Sequence, residues 1–122
     1  MNLQYAQKAY TNTMVKTSAS PVDLVVMLYD GAIEYLNKAV FYINQRETIK
    51  KNESISRVIA IIEELLATLN MEAGGDIARN LYDLYVYMIV EITRANIKND
   101  IEKIRHVEFL LKEIRSAWRQ IR

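Results

Sequence analysis

The sequence predicts an all-α protein, an antiparallel up-down four-helix bundle with a short N-terminal arm or helix. Glycine and proline are scarce, with 3 Gly and 1 Pro among 122 residues. Few segments alternate apolar and polar residues as strands do, whereas long stretches repeat apolar residues at the spacing of a helix buried along one side. The length fits a single domain. We expect residues 1–19 to form the arm, which can act as a lid, and residues 20–122 to form the bundle.

The first predicted helix begins at Pro21, the only proline of the chain. Ser20 precedes it, and a serine before a proline in the first turn is a helix-start signal. Asp23 has the spacing to complete a capping box. The polar residues 46–52 predict a loop, so this helix should run to about Gln45.

The second predicted helix starts near Glu53 or Ser54 and carries one apolar stripe. Gly74 and Gly75 are predicted to end it, because glycine tolerates the left-handed conformation that follows a helix. The apolar residues of the stripe follow the i, i+3, i+4, i+7 series and are Ile55, Val58, Ile59, Ile62, Leu65, Leu66 and Leu69.

The third and fourth helices are predicted to be separated by a break that contains no glycine or proline. Asp76 should cap the third helix, which should reach about Asn96. Asn99, with Glu102 three residues later, has the spacing of a capping box and predicts the next start. The alternative is one long helix over residues 76–122, but such a rod could not fold back to bury both apolar stripes. The stripe of the fourth helix is Ile104, Val107, Leu111, Ile114, Trp118 and Ile121.

Composition excludes several classes of function. The formal net charge is +1, whereas nucleic-acid binding needs a basic surplus. The absence of cysteine excludes disulfides and thiolate chemistry, and a single histidine excludes sites with two imidazoles. No apolar run approaches the roughly 18 residues of a membrane span, and the N-terminus lacks a signal-peptide pattern. We expect a cytoplasmic protein that neither binds nucleic acid nor inserts into a membrane.

The sequence offers little support for catalysis or metal binding. A di-iron bundle uses two Glu-x-x-His pairs, whereas Glu102 and His106 are one residue too far apart and no second histidine exists. We expect His106 on the surface beside Glu102, no cofactor and no enzymatic activity. The last helix has a basic face, which complements the helix dipole or contacts an acidic partner. Its residues are Lys112, Arg115, Arg119 and Arg122.

For two residues of the first helix, the sequence limits the possible roles to two without deciding between them. Gly31 costs about 1 kcal/mol of helix propensity, so we expect another helix or a partner to approach it closely. Asp30 either lies on the surface or hydrogen-bonds across the bundle.

The third helix carries more apolar residues than a bundle core needs. Residues 81–92, LYDLYVYMIVEI, contain only two charged residues. One stripe can face the core, and we assign to it Ile77, Leu81, Leu84, Tyr85, Met88 and Ile92. The other apolar residues then fall on other faces and are Tyr82, Val86, Tyr87 and Ile89. The first helix repeats this excess in residues 22–29.

Contiguous exposed apolar patches usually mark a binding surface. Tyrosine suits such a surface because its apolar body and polar tip tolerate both water and a partner. The alternative is that both helices are central and covered by neighbours or by the arm. For the two helices together we favour a partner surface.

Several segments resemble the flagellar secretion chaperone FliS family in their order and spacing. They are TSASP at residues 17–21, MLYDGAI at 27–33, GGDIA at 74–78 and ANIKND at 95–100. Asn80-Leu81, Leu84-Tyr85, Tyr87-Met88 and Ala117-Trp118 also fit. Together these segments span nearly the whole chain. One departure is that the family often has a basic pair where Val90 and Glu91 stand here.

The resemblance implies a cytosolic, non-enzymatic export chaperone. Such a chaperone binds the C-terminal segment of flagellin, prevents its premature polymerisation and delivers it to the flagellar type III export apparatus. In the family, tyrosines of the N-terminal arm are linked to cargo binding, and Tyr5 and Tyr10 match them. The sequence leaves open whether an export-gate protein or an anti-sigma factor also binds.

Combining both lines of reasoning gives a set of candidate partner-binding residues. They are Tyr5, Tyr10, Met14, Leu28, Tyr29, Tyr82, Tyr85, Val86 and Ile89. The alternative function is a homo-oligomeric structural bundle without cargo, in which the faces of the third helix pair with one another.

Overall fold

The computed structural model describes residues 20–121, and these form four helices. Helix α1 spans Pro21–Asn44, α2 Thr48–Ala67, α3 Met71–Lys98 and α4 Ile101–Arg119. Each helix packs against its neighbours in sequence, and α1 also packs against α4, so the four close into a ring. Helices α1 and α3 therefore lie on one diagonal of the bundle. The predicted four-helix bundle is confirmed, whereas the predicted arm lies outside the described residues.

The apolar stripes predicted for the second and fourth helices form the core, together with the inner sides of α1 and α3. Every residue of those two stripes is either buried or packed, partly buried, against the core cluster. The largest fully buried side chain is Trp118 of α4. In the described part of the chain, none of the helices combines the length and apolarity that a membrane crossing requires.

The predicted start of α1 is confirmed. The Ser20 backbone is extended, and its hydroxyl accepts a hydrogen bond from the Asp23 backbone N–H at 3.1 Å. The predicted close approach at Gly31 is also confirmed, because a Cβ placed there would lie 3.3 Å from Ile61 Cδ1 of α2.

The predicted loop over residues 46–52 is too long, since α2 begins at Thr48. Lys51 explains the difference, because it is only 6% exposed. Its Nζ donates hydrogen bonds to the Asn96 carbonyl oxygen at 2.9 Å and to Asn99 Oδ1 at 2.7 Å. These bonds offset the desolvation of the amine. The first turn of α2 is therefore held by a contact with α3 that local polarity does not reveal.

The predicted end of the second helix at Gly74 and Gly75 is wrong. Helix α2 ends before them, and the Asn70 side chain caps α3 by accepting a first-turn backbone N–H at 3.0 Å. The predicted cap, Asp76, lies inside α3. The glycines nevertheless mark a real feature, because Gly75 has φ 52° and ψ −128° and kinks the helix.

We expect Gly75→Ala to lower the free energy of unfolding by about 1 kcal/mol. A Cβ there would meet no atom within 4 Å, so the cost comes from a backbone conformation that L residues rarely adopt. Urea denaturation measures the difference. Gly31→Ala is the matched control, because its φ is not positive and the gain in helix propensity opposes the tight contact with Ile61. Equal losses in both variants would contradict the backbone explanation.

The predicted break between the third and fourth helices is confirmed, and the alternative of one long helix is wrong. Asn99 adopts the left-handed conformation, with φ 52° and ψ 43°, and ends α3. The N-cap of α4 is Asp100 rather than the predicted Asn99. Its carboxylate accepts a hydrogen bond from the Lys103 backbone N–H at 3.1 Å.

Candidate binding surface

Helix α3 exposes more large apolar side chains than any other helix of the described residues. Tyr82, Val86, Tyr87 and Val90 lie within about two and a half turns, and each is between 38% and 46% exposed. Ile89 lies among them and is partly buried against the core. We call these five residues the α3 face.

The position of α3 in the ring explains this exposure. Helix α3 packs less closely against its two neighbours in the ring, α2 and α4, than α1 does against its own, and the side of α3 opposite its buried stripe is left exposed. Its fully buried stripe contains Leu81, Tyr85, Met88 and Ile92. The prediction that Tyr82, Val86 and Tyr87 fall outside the inward stripe is confirmed.

One edge of the α3 face turns towards α2. The last turn of α3 lies against α2, because the Asn96 carbonyl oxygen accepts a hydrogen bond from Lys51. Tyr87 contacts α4, and Tyr82 and Ile89, five residues before it and two after it, fall on the side of α3 away from α4. On this edge the α3 face is therefore continuous with the seam between α2 and α3.

The opposite edge turns towards α4 and is polar. The Tyr87 hydroxyl lies 3.3 Å from His106 Nε2, and the two rings meet edge to face with centroids 6.2 Å apart. Lys103 Nζ lies 3.3 Å from Glu91 Oε2. His106 is exposed, as predicted, but its partner is Tyr87 and not Glu102. These contacts join α3 to α4 and leave the apolar part of the face towards α2.

Two candidate residues, Tyr29 and Tyr85, do not lie on an open surface. Both are fully buried, and their hydroxyls form a hydrogen bond between α1 and α3. Their rings are tilted, with centroids 6.4 Å apart. Tyr85 shares the inward side of α3 with Leu81 and Met88, where the predicted stripe placed it, so neither tyrosine belongs to an exposed patch. The two tyrosines connect the diagonal helices through the core.

The predicted apolar excess of the first helix is largely covered. Val22, Val25 and Val26 are buried in the core cluster, and α1 packs more closely against its two neighbours than α3 does. Leu28, a candidate residue, is partly buried against the core, and Met27 stands out as exposed. The remaining candidates are in the arm, outside the described residues, and are Tyr5, Tyr10 and Met14.

Asp30 hydrogen-bonds to the neighbouring helix α4 while its side chain stays 45% exposed, so both of its predicted roles apply. Arg115 Nη1 donates to Asp30 Oδ1 at 2.8 Å, and Arg119 Nη2 lies 3.3 Å from the same oxygen. The basic face of α4 is therefore partly neutralised by α1. Among residues 20–121, no group of three or more His, Asp or Glu side chains is arranged to hold a metal ion.

Comparison with known proteins gives consistent matches along the chain. The family model described as "Flagellar protein FliS" matches residues 1–122. A flagellar secretion chaperone FliS from Salmonella typhimurium is 44% identical over 118 residues, covering 93% of this chain and 87% of the relative. Relatives of the same name from Vibrio cholerae and Bacillus subtilis are 40% and 33% identical over 120 residues, and each match covers 98% of this chain and 88% of the relative. The chain therefore belongs to the FliS family of flagellar proteins.

Proposed function

We propose that this protein is a cytoplasmic, non-enzymatic export chaperone that binds the disordered C-terminal segment of flagellin. It prevents premature polymerisation and delivers flagellin to the flagellar type III export apparatus. The names of the relatives support the export role, since each is a flagellar secretion chaperone. The observation that carries the proposal is the α3 face, an exposed apolar patch on a small bundle.

The α3 face suits a segment that folds as it binds. An amphipathic segment can lay its apolar side on the face, and each Å² of apolar surface buried contributes about 25 cal/mol. Ordering a disordered segment costs free energy and tempers its affinity, which suits a cargo that must be released. Tyr82 and Tyr87 tolerate both the exposed state and the state covered by cargo, because their rings are apolar and their hydroxyls are polar.

The proposed site also includes residues beyond the α3 face. Leu28 lies at the edge of the core on α1. Tyr5, Tyr10 and Met14 are carried by the arm, and their part in the site rests on the family resemblance. Tyr29 and Tyr85 contribute from the core by holding α1 and α3 in register.

We expect Val86→Asp to weaken binding of flagellin at least roughly tenfold, because a carboxylate replaces an apolar contact. Val86 is 38% exposed, so the carboxylate stays hydrated in the free chaperone and the fold is kept. Calorimetric titration with a peptide from the last roughly 40–50 residues of flagellin, enough for a standard interface, measures the affinity. Circular dichroism melting measures the stability of each variant.

Phe109→Asp is the matched control, because Phe109 is an exposed apolar residue on α4, outside the α3 face. It should retain the affinity of the wild type. Unchanged affinity in Val86→Asp would contradict the proposed site. A stable oligomer in light scattering that ignores the flagellin peptide and dissociates in Val86→Asp would instead favour the homo-oligomeric bundle, which the same exposed face supports. Tyr10→Ala tests the arm in the same titration.

A further inference from the structure

We propose that the groove between α1 and α2 binds an acidic segment of a protein partner. The groove encloses about 200 Å³, and we call it the basic groove. It contains no residue of the α3 face, so the proposal is independent of flagellin binding there. The residues that line it are Tyr35, Lys38, Tyr42, Lys50, Glu53, Ser54 and Arg57.

Three of the residues that line the basic groove are cationic and one is acidic, and Glu34 and Glu47 lie beside two of the cations, so an anionic occupant is favoured chiefly by Arg57. Two of the cations have only loose internal partners, Lys38 with Glu34 at 3.5 Å and Lys50 with Glu47 at 3.7 Å. Such exposed pairs contribute little free energy. Arg57 has no ion pair or hydrogen bond with any residue of the described chain. Its planar guanidinium fork is therefore available to bind a carboxylate with two parallel hydrogen bonds.

Aromatic rings hold two of the cations at the walls of the groove. Lys38 Nζ lies 5.1 Å from the centroid of the Tyr35 ring, and Lys50 Nζ lies 5.8 Å from that of Tyr42. Cation–π contacts of this kind attract the ammonium groups to the ring faces. Both walls of the groove therefore present positive charge beside a tyrosine.

The spacing of the cations along α2 fits an extended polypeptide. Lys50 and Arg57 are two helical turns apart, about 10 Å along α2. Carboxylates about three residues apart on an extended chain span the same distance. An extended acidic segment can therefore contact both cations at once.

The acidic segment must come from another molecule. Residues 1–19 contain Lys8 and Lys16 and no Asp or Glu, so the arm cannot supply the complementary charge. The basic face of α4 is the other candidate for an acidic partner. Two of its cations, Arg115 and Arg119, already contact Asp30, whereas Arg57 in the basic groove is unpaired within the described residues.

Fluorescence anisotropy of a labelled short polyglutamate peptide, titrated with the full chain at low salt, tests the proposal. We expect binding that weakens as salt is added. Arg57→Glu should weaken it at least roughly tenfold, since it replaces a charge-assisted contact by repulsion, and Lys50→Glu should act in the same direction. Lys112→Glu is the matched control, because it changes the net charge equally on α4 and should alter the affinity less than about twofold.

Three outcomes would overturn the proposal. The first is no binding of polyglutamate at low salt, and the second is equal weakening by Arg57→Glu and Lys112→Glu, which would mean a response to net charge alone. The third is self-association that Arg57→Glu abolishes, which would identify a second copy of the chain as the occupant. Circular dichroism shows whether each variant is folded.

Discussion

Trp118→Ala is expected to lower the free energy of unfolding by about 3–5 kcal/mol. Trp118 is fully buried and is the largest such side chain of the core, so its removal takes away apolar burial and leaves a cavity. A small domain has only about 5–15 kcal/mol of stability in total. The variant should therefore unfold at much lower urea concentration, or be partly unfolded in its absence, as measured by circular dichroism.

Phe109→Ala provides the comparison on the same helix. Phe109 is 58% exposed, so its removal leaves no cavity, and we expect a change within about 0.5 kcal/mol. The difference between the two variants separates the effect of removing a buried side chain from the effect of losing an aromatic ring. A similar loss in both would contradict the packing assigned to α4.

Lys51→Ala is expected to lower the free energy of unfolding by about 2 kcal/mol or more. The substitution removes both hydrogen bonds of the buried amine, to the Asn96 carbonyl oxygen and to Asn99 Oδ1. Asn99 is also the left-handed residue that ends α3. Urea denaturation should show the loss, and amide hydrogen exchange should become faster at the end of α3.

The neighbouring residue supplies the control. Lys50→Ala removes an exposed lysine whose ion pair with Glu47 is 3.7 Å long, and such pairs are worth at most about 1 kcal/mol. We expect little change in stability and no change in exchange at the end of α3. Equal destabilisation by Lys50→Ala and Lys51→Ala would contradict the clamp between α2 and α3.

The fold and the core could be predicted because the apolar residues that become buried recur in the sequence with the period of an α-helix. The stripe from Ile104 to Trp118 has one spacing that suits a helix and none that suits a strand, and the structure buries it as a unit. The stripe of α2 is equally regular. Packing then requires the helices to fold back on one another, which is why the break before α4 was predictable without a glycine or proline.

Helix boundaries were less predictable, because the same residue types occur at the start of one helix and at the end of another. Ser20 before Pro21 is an unambiguous start, whereas Asn99 and Asp100 both suit a cap. Only the backbone shows that Asn99 is left-handed and ends α3, so that Asp100 caps α4. Gly75 does adopt a positive φ, but it produces a kink and not a loop.

The α3 face could be predicted because residues 81–92 contain more apolar side chains than one stripe accommodates. The burial of Tyr29 could not be predicted, because tyrosine is common both in cores and on binding surfaces. The buried position of Lys51 was also missed. Its position in the sequence does indicate burial, because Lys51 precedes Ile55 by four residues and so extends the apolar stripe of α2 by one turn.

The contact between α1 and α4 has a consequence for how the newly made protein folds. Asp30 meets Arg115 across a separation of 85 positions, and α4 leaves the ribosome after the other three helices. Until then, the side of α1 that packs against α4 in the finished bundle is exposed. The nascent chain therefore passes through a stage in which this apolar surface is exposed to water, and at that stage it is most prone to aggregate with other incompletely synthesised chains.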